Sequence, residues 1–169
     1  MASPSSSADV ATAIFEALQR RDLDAVRRLQ HDETVSYFVE LGVSRDGQGV
    51  RAFFEELFAA IPDGSPTPER ILADGDYAVV QWRVAGTFSG GPFHGIHATG
   101  GRVELRGVDV MHIVDGRLLD NTIYTDGLSF VRQIGLLSPA GSRTDRVLTA
   151  AFNAKTDLRS KLAASSRNR

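Results

Sequence analysis

The chain has 169 residues and a formal net charge of −2, and its hydrophobic content of 42% is ordinary for one globular domain. Such a charge balance argues against nucleic-acid binding, which requires a basic face, so we expect no nucleic-acid partner. The absence of cysteine excludes disulfides, thiolate metal sites and a cysteine nucleophile. Residues 1–10 lack the features of a signal peptide, and no apolar run reaches the length of a membrane span. We therefore expect a cytoplasmic protein without a membrane partner.

The first part of the chain is predicted to be mainly helical. Residues 1–8 are serine-rich and expected to be disordered. Asp9 is a plausible N-cap for a helix from Val10, where apolar residues recur at helical spacing, and Asp22 is a plausible N-cap for a second helix. A β-prone run, a break at two glycines and a third helix then follow at residues 34–39, 47–49 and 50–61.

A meandering sheet is predicted next. The turns are Asp74-Gly75-Asp76 and Asp115-Gly116, and an Asp-Gly pair between alternating runs is a strong hairpin signal. Helices followed by such a sheet predict an α+β cone, in which a curved antiparallel sheet wraps around N-terminal helices, is open at one end and holds a small molecule. The strands are expected at residues 69–73, 77–86, 102–114 and 117–125, with a loop at 86–101.

The end of the chain is predicted to be helical again. Asp126 begins a short helix that runs to residue 134, and residues 138–141 form a linker. A last helix is expected at residues 144–162, before a polar, basic tail. We therefore predict a core domain over residues 9–137, with the helix and tail of residues 138–169 appended to it.

Several sequence pieces appear in a characteristic order. The chain resembles the SnoaL-like polyketide cyclases, within the nuclear-transport-factor-2-like fold, over about residues 10–140. The pieces that carry the resemblance are residues 53–63 (FFEELFAAIPD), Asp74-Gly75-Asp76, Trp82 with Gly86-Thr87, Gly95 with Ala98-Thr99-Gly100, Asp115-Gly116-Arg117, Tyr124 with Asp126, and residues 133–137 (QIGLL).

The resemblance implies a cone fold and a chemistry without cofactors. Better-known members of the family close a polyketide ring by intramolecular aldol condensation, using a carboxylate near the end of the last strand as general acid/base. The chain departs from the pattern at Thr122 and Ile123, where cyclases often carry an aromatic residue and an acid. It also lacks the Arg-x-Asp pair of the related epoxide hydrolases, because the corresponding place reads Trp82-Arg83-Val84.

The candidate catalytic residues are Asp126, His112 and Asp109. Asp126 is the best-placed acid, but it also stands where a carboxylate would cap the following helix. His112 and Asp109 lie on opposite faces of one predicted strand, and the loop length at Asp115-Gly116 leaves open which of the two faces inward. A base that removes a proton next to a carbonyl needs a dry site that raises its pKa.

Aromatic and polar side chains near the expected cavity are candidates for substrate binding. Histidines His94 and His97 flank Gly95, but a zinc site usually has three or four protein ligands, so we expect no metal and no other cofactor. The candidate substrate-binding residues are Trp82, Tyr37, Tyr124, Asn121, His31, Phe54 and Phe58.

These observations favour a cofactor-independent cyclase or isomerase for an apolar, carbonyl-bearing, polyketide-like substrate. The alternative is a non-catalytic module that binds an apolar small molecule or a partner segment, which the missing acid at Ile123 favours. An Asp126 side chain in the cavity would favour the enzyme, whereas a helix cap outside it would favour the binding module. A homodimer is expected, because an open curved sheet leaves an apolar outer face.

Overall fold

The computed structural model describes residues 6–167, with side chains as far as residue 160. It divides into two compact units, Met1–Ile134 and Gly135–Arg169. The second unit contains one helix, α5 (Arg143–Arg167), which extends beyond its predicted end at residue 162. Within the described residues, no helix is long and apolar enough to cross a membrane.

The first unit combines four helices with one mixed sheet, so the predicted α+β class is confirmed. Its helices are α1 (Ser7–Gln19), α2 (Leu23–Arg28), α3 (Gly47–Ala60) and α4 (Gly127–Gln133). Its strands are β1 (Gln30–Phe38), β2 (Val43–Asp46), β3 (Thr67–Asp74), β4 (Tyr77–Thr87), β5 (Arg102–Val114) and β6 (Arg117–Thr125).

The sheet is curved, unclosed and six-stranded, in the order β2-β1-β6-β5-β4-β3. The last four strands form the predicted antiparallel meander. Two features were not predicted: β1 pairs parallel to β6, and β2 adds a short antiparallel edge strand. These contacts join segments far apart in sequence, which short-range patterns do not report.

Short polar side chains begin the helices, though not always where predicted. Asp22 and Asp126 cap α2 and α4 as expected. The prediction for Asp9 was wrong: Ser6 is the N-cap of α1, and Asp9 completes a capping box by accepting from the Ser6 backbone N–H at 3.1 Å. The expected break at residues 47–49 is instead the first turn of α3, because Asp46 caps it by accepting from Gly49 N at 2.8 Å.

The helix α1 supplies the apolar face that covers part of the sheet. Its Phe15 and Leu18 pack with Val80 of β4 and Met111 of β5. Burial of each such side chain contributes about 1.5–3 kcal/mol relative to its exposure. We call the face of the sheet that carries Val80 and Met111 the inner face, and the opposite face the outer face.

A β-bulge in the hairpin of β5 and β6 decides which side chains reach the inner face. The Asp115-Gly116 turn has two residues with positive φ, of 48° and 71°, as a type I′ turn requires. Ile113 pairs with Leu118 but His112 pairs with Asp120, so β6 carries one extra residue between these pairs. Because of this extra residue, Leu118 and Asn121 are both buried on the inner face.

Candidate functional site

A cavity of about 600 Å³ lies between the inner face of the sheet and helices α1 and α3. As predicted from the sequence, Trp82 and residues of the first and third helices line it. The walls are mostly apolar: the lining includes Phe15, Leu18, Phe38, Phe53, Phe54, Leu57, Trp82, Val84, Phe93, Ile96, Leu105, Ile123, Phe130 and Val131. This volume and lining suit a small apolar molecule.

Asp109 is the buried acid of this cavity. It lies on β5 with its side chain on the inner face, and only 8% of the residue is exposed. Trp82 donates its indole N–H to Asp109 Oδ1 at 2.7 Å, and Asn121 donates from Nδ2 to Oδ2 at 2.9 Å. The structure therefore answers the question that the sequence left open: Asp109, and not His112, faces inward.

Burial changes the acidity of Asp109. Removal of the carboxyl group from water raises its pKa from 3.8 to about 6, and this effect outweighs the hydrogen bonds from Asn121 and Trp82, which lower the pKa. The negative charge of Glu40, which also lines the cavity, raises it further. A carboxyl group with such a pKa changes protonation state near neutral pH, as a general acid/base must.

The position of Trp82 depends on a glycine in the neighbouring strand. Trp82 on β4 pairs with Gly107 on β5. A Cβ atom at Gly107 would lie 2.2 Å from Trp82 Cζ2 and 2.5 Å from the backbone oxygen of Tyr124. The absence of that atom lets the indole ring lie across β5, where its N–H reaches Asp109.

Asn121 reaches Asp109 because of the bulge in β6. With the extra residue before it, Asn121 faces inward and only 6% of it is exposed. Its Oδ1 atom is buried and has no hydrogen-bond partner. The sequence nominated Asn121 for substrate binding, and the structure gives it a direct contact with the buried acid instead.

On the sequence alone, a side chain in the cavity and a helix cap are alternatives for Asp126, and the structure shows both. Asp126 lines the cavity, and it also caps α4 by accepting from Ser129 N at 2.9 Å. The residue is exposed, and its backbone N–H donates to Arg106 O at 2.9 Å, which anchors the end of β6. Cap and cavity are thus not exclusive.

Three further polar residues line the cavity: Glu40, His94 and Thr125. His94 has a positive φ of 50°, and its backbone N–H donates to Glu56 Oε1 at 2.6 Å. Its ring lies 4.2 Å from that of Phe93. Sequence reasoning considered His94 only as a metal ligand and missed Glu40 and Thr125. Thr125 directly precedes Asp126, which was the one available signal.

The other nominated residues, apart from Phe54, lie outside the cavity lining. His112 is on the outer face, where its Nδ1 lies 2.8 Å from Asp120 Oδ2 and its ring stacks on Tyr77. His31 Nε2 bonds to the backbone oxygen of Val114. Of the two nominated phenylalanines, Phe54 lines the cavity and Phe58 packs in the core. Tyr37 and Tyr124 are exposed on the outer face.

No cluster of three or more His, Cys, Asp or Glu side chains that could hold a metal ion occurs in the described part of the chain. The histidine pair His94 and His97 therefore has no third protein ligand there.

The sequence model of the SnoaL-like polyketide cyclases matches residues 8–134 of the chain, which is most of its length. The chain belongs to this family. No curated protein matches the chain in a sequence search.

Solved structures with the same fold are numerous. AclR from Streptomyces galilaeus is 20% identical with a TM-score of 0.70, and the match covers 89% of this SnoaL-like chain and 93% of AclR. IdmH from Streptomyces antibioticus is 24% identical with a TM-score of 0.68, covering 76% and 98%. TsrD from Streptomyces laurentii is 26% identical with a TM-score of 0.66, covering 76% and 93%. These similarities support the fold.

The contact between Gly107 and Trp82 can be tested by Gly107→Ala. The new methyl group overlaps the indole ring, so we expect a loss of roughly 1–3 kcal/mol in unfolding free energy. Trp82 is the only tryptophan, so a red shift of intrinsic fluorescence should accompany the loss. Gly91→Ala is the matched control, because its Cβ would meet nothing closer than 3.7 Å. Equal stability and equal emission in both variants would contradict the assignment.

The raised pKa of Asp109 predicts a specific dependence of stability on pH. Between about pH 4 and pH 6 the folded state holds a proton that the unfolded state has released, so stability falls as pH rises through this window. The contribution is about 3 kcal/mol, given the change from 3.8 to about 6. Denaturant unfolding should show that the unfolding free energy of the wild type falls by this amount, relative to that of Asp109→Asn, between about pH 4 and pH 6. If the unfolding free energy of the wild type, relative to that of the variant, stays constant or rises with pH, the burial effect is refuted.

Proposed function

We propose that this SnoaL-like protein is a cofactor-independent cyclase or isomerase that acts by general acid/base catalysis on an apolar, carbonyl-bearing, polyketide-like substrate. The observation that carries the proposal is the buried carboxyl group of Asp109 in an apolar cavity. Family membership supports it. IdmH has itself been proposed to be a polyketide cyclase, whereas AclR has been proposed to be a hydroxylase, so the fold alone does not dictate the reaction.

In the first step, a carboxylate oxygen of Asp109 takes a proton from the carbon next to the substrate carbonyl. The C–H bond breaks, an O–H bond forms on Asp109, and the electron pair moves onto the carbonyl oxygen to give an enolate. With a pKa of about 6, the carboxyl group is mostly ionised at neutral pH yet more basic than an aspartate in water.

The enolate oxygen needs a hydrogen-bond donor. The Thr125 hydroxyl and the His94 ring are the donors we assign, because both residues line the cavity. In a cyclase the enolate carbon then attacks a second carbonyl, and the resulting alkoxide takes the proton from Asp109. In an isomerase Asp109 returns the proton to a different carbon. We assign Asp126 as the second acid/base group.

The cavity suits a substrate with fused rings. Its volume of about 600 Å³ lies within the range of about 300–1,000 Å³ that is typical of small-molecule sites. Aromatic walls such as Phe53, Phe54 and Trp82 favour planar or ring-bearing ligands through contact with their faces.

A non-catalytic module that binds an apolar ligand is the second candidate. The observation in its favour is that Asp126 is exposed and already serves as the cap of α4. In that case the cavity would hold a ligand without proton transfer.

The acid/base assignment can be tested without knowledge of the natural substrate. Enzyme-dependent exchange of deuterium into the carbon next to the carbonyl can be followed by NMR for a series of apolar ketones that begins with alpha-tetralone. We expect Asp109→Asn to lower the exchange rate by about 10²–10⁴-fold, the usual contribution of a general base. Asp126→Asn should lower it while stability holds, because asparagine caps a helix about as well as aspartate.

His112→Gln is the matched control, because His112 lies on the outer face of the same strand as Asp109. Its exchange rate should equal that of the wild type. Unchanged rates in both aspartate variants would refute the assignment. Tight binding of ketones with no exchange by the wild type would establish the binding module.

We also propose that the protein is a homodimer that buries the outer face of the sheet. This face carries Tyr37, of which 41% is exposed, and Tyr124, of which 51% is exposed, on the paired strands β1 and β6. Val35 is exposed on the same face of β1. Apolar patches larger than a few hundred Å² are rarely left in contact with water in a monomer.

A charge placed in this patch should separate the protomers. Tyr124→Arg puts two guanidinium groups into a two-fold interface, so light scattering at micromolar concentration should show a dimer for the wild type and a monomer for this variant. Glu16→Arg, on the solvent side of α1, should remain a dimer. A monomeric wild type would refute the proposal.

A further inference from the structure

The buried amide of Asn121 makes one hydrogen bond and leaves one atom without a partner. Its Nδ2 donates to Asp109 Oδ2 at 2.9 Å, while its Oδ1 is buried and unpartnered. Buried side-chain polar atoms without partners are uncommon in folded proteins, and each needs a reason. Donor and acceptor are on the same planar group, so a half-turn of the amide would exchange which of them faces Asp109.

We propose that Asn121 is a positioning residue whose amide turns over when Asp109 gains a proton: Nδ2 donates to the carboxylate, and Oδ1 accepts from the carboxylic acid. Its use in catalysis rests on the proposed function of Asp109. The exchange of hydrogen bonds itself requires no substrate, so it can be tested separately.

The hydrogen-bonding capacities of the partners lead to this inference. An ionised carboxylate only accepts, and both oxygens of Asp109 face donors, namely Trp82 Nε1 and Asn121 Nδ2. A protonated carboxyl group has an O–H that needs an acceptor. The indole of Trp82 can only donate, so of these two partners only Asn121 offers an acceptor atom. The proton is therefore carried on Oδ2 of Asp109, while Oδ1 of Asp109 keeps the hydrogen bond from Trp82.

Both forms of Asp109 occur near neutral pH, so both arrangements are populated. The titratable groups that share the cavity are Glu40 after β1, His94 in the loop before β5, and Asp126 after β6. Burial, with a smaller contribution from Glu40, raises the pKa of Asp109 to about 6. A group that removes and then returns a proton passes through both states in one turnover, and a partner that satisfies each state keeps the carboxyl group in place.

NMR of protein labelled with ¹³C and ¹⁵N tests the turnover of the amide. Well above pH 6, Asn121 Nδ2 should show a scalar coupling through the hydrogen bond to Asp109 Cγ, and this coupling should vanish well below pH 6. In Asp109→Asn, the new side-chain nitrogen should instead couple to Asn121 Cγ, because that variant imitates the protonated acid. An Asn121 coupling that persists at both pH values would overturn the proposal.

Substitutions of Asn121 test its effect on Asp109. Asn121→Leu removes a hydrogen bond from both forms of Asp109, and the bond to the charged form is the stronger of the two. The titration midpoint of the Asp109 carboxyl carbon should therefore move up by about one pH unit, a tenfold change in ionisation. Asn121→Thr should keep a midpoint close to that of the wild type, since a hydroxyl group donates or accepts by simple rotation. An unmoved midpoint in Asn121→Leu would overturn the positioning role.

The two sets of results separate this inference from the proposed function. If Asn121→Leu does not fold, the coupling measurement on the wild type decides alone. If the coupling behaves as expected but no ketone exchanges deuterium, the positioning role stands and the enzymatic function fails. If exchange is found, the midpoint of the acid limb in its pH–rate profile should rank wild type, Asn121→Thr and Asn121→Leu in the same order as the titration midpoint of the Asp109 carboxyl group. An opposite order would contradict the link to catalysis.

Discussion

One buried carboxyl group constrains the rest of this structure. A carboxylate removed from water is costly unless hydrogen bonds replace its hydration, and here the replacements are the indole N–H of Trp82 and the amide of Asn121. Each replacement depends in turn on a feature of the backbone. The indole lies across β5 because Gly107 has no side chain, and the amide faces inward because β6 carries a bulge. Neither feature adds to the apolar core, and both serve to keep an acid in an apolar cavity. The raised pKa shows that the replacement is incomplete, since the effect of burial still exceeds that of the two hydrogen bonds.

What could be predicted from the sequence was mainly local. The caps Asp22 and Asp126 and the turn Asp115-Gly116 depend on a few neighbouring residues, and all were found where expected. Simple alternation along β6 from buried Leu118 would have turned Asp120 inward and Asn121 outward. The extra residue in the strand reverses this, so Asp120 lies outside with His112 and Asn121 lies inside with Asp109. A bulge has no reliable sequence signature, so the inward position of Asn121 could not be predicted beforehand.

The remaining differences come from contacts between distant segments. Parallel pairing of β1 with β6 turns Tyr37 to the outer face, whereas the sequence suggested a residue at the cavity mouth. Glu40 follows that strand and so reaches the cavity, where its charge acts on Asp109. Nothing in the local sequence around Glu40 marks it, because its effect exists only after β1 has paired with β6. The general location of the cavity was predictable because it follows from the fold, but the polar groups within it depend on strand register.

Asp109 and Asp126, two of the acids that line the cavity, differ in their surroundings. Asp109 is enclosed, and its hydrogen bonds come from side chains that can rearrange, whereas Asp126 is exposed and accepts from a backbone N–H at a helix start. The backbone N–H that donates to Asp126 is fixed in position, because it belongs to the first turn of α4. The surroundings of Asp109 can satisfy either form, provided that Asn121 turns over. In the proposed mechanism, this difference favours Asp109 as the group that takes up and returns the first proton, with Asp126 as the second acid/base group. Under the same proposal, the helix cap does not compete with a role of Asp126 in the chemistry, because the cap holds its carboxyl group in one orientation at the cavity wall.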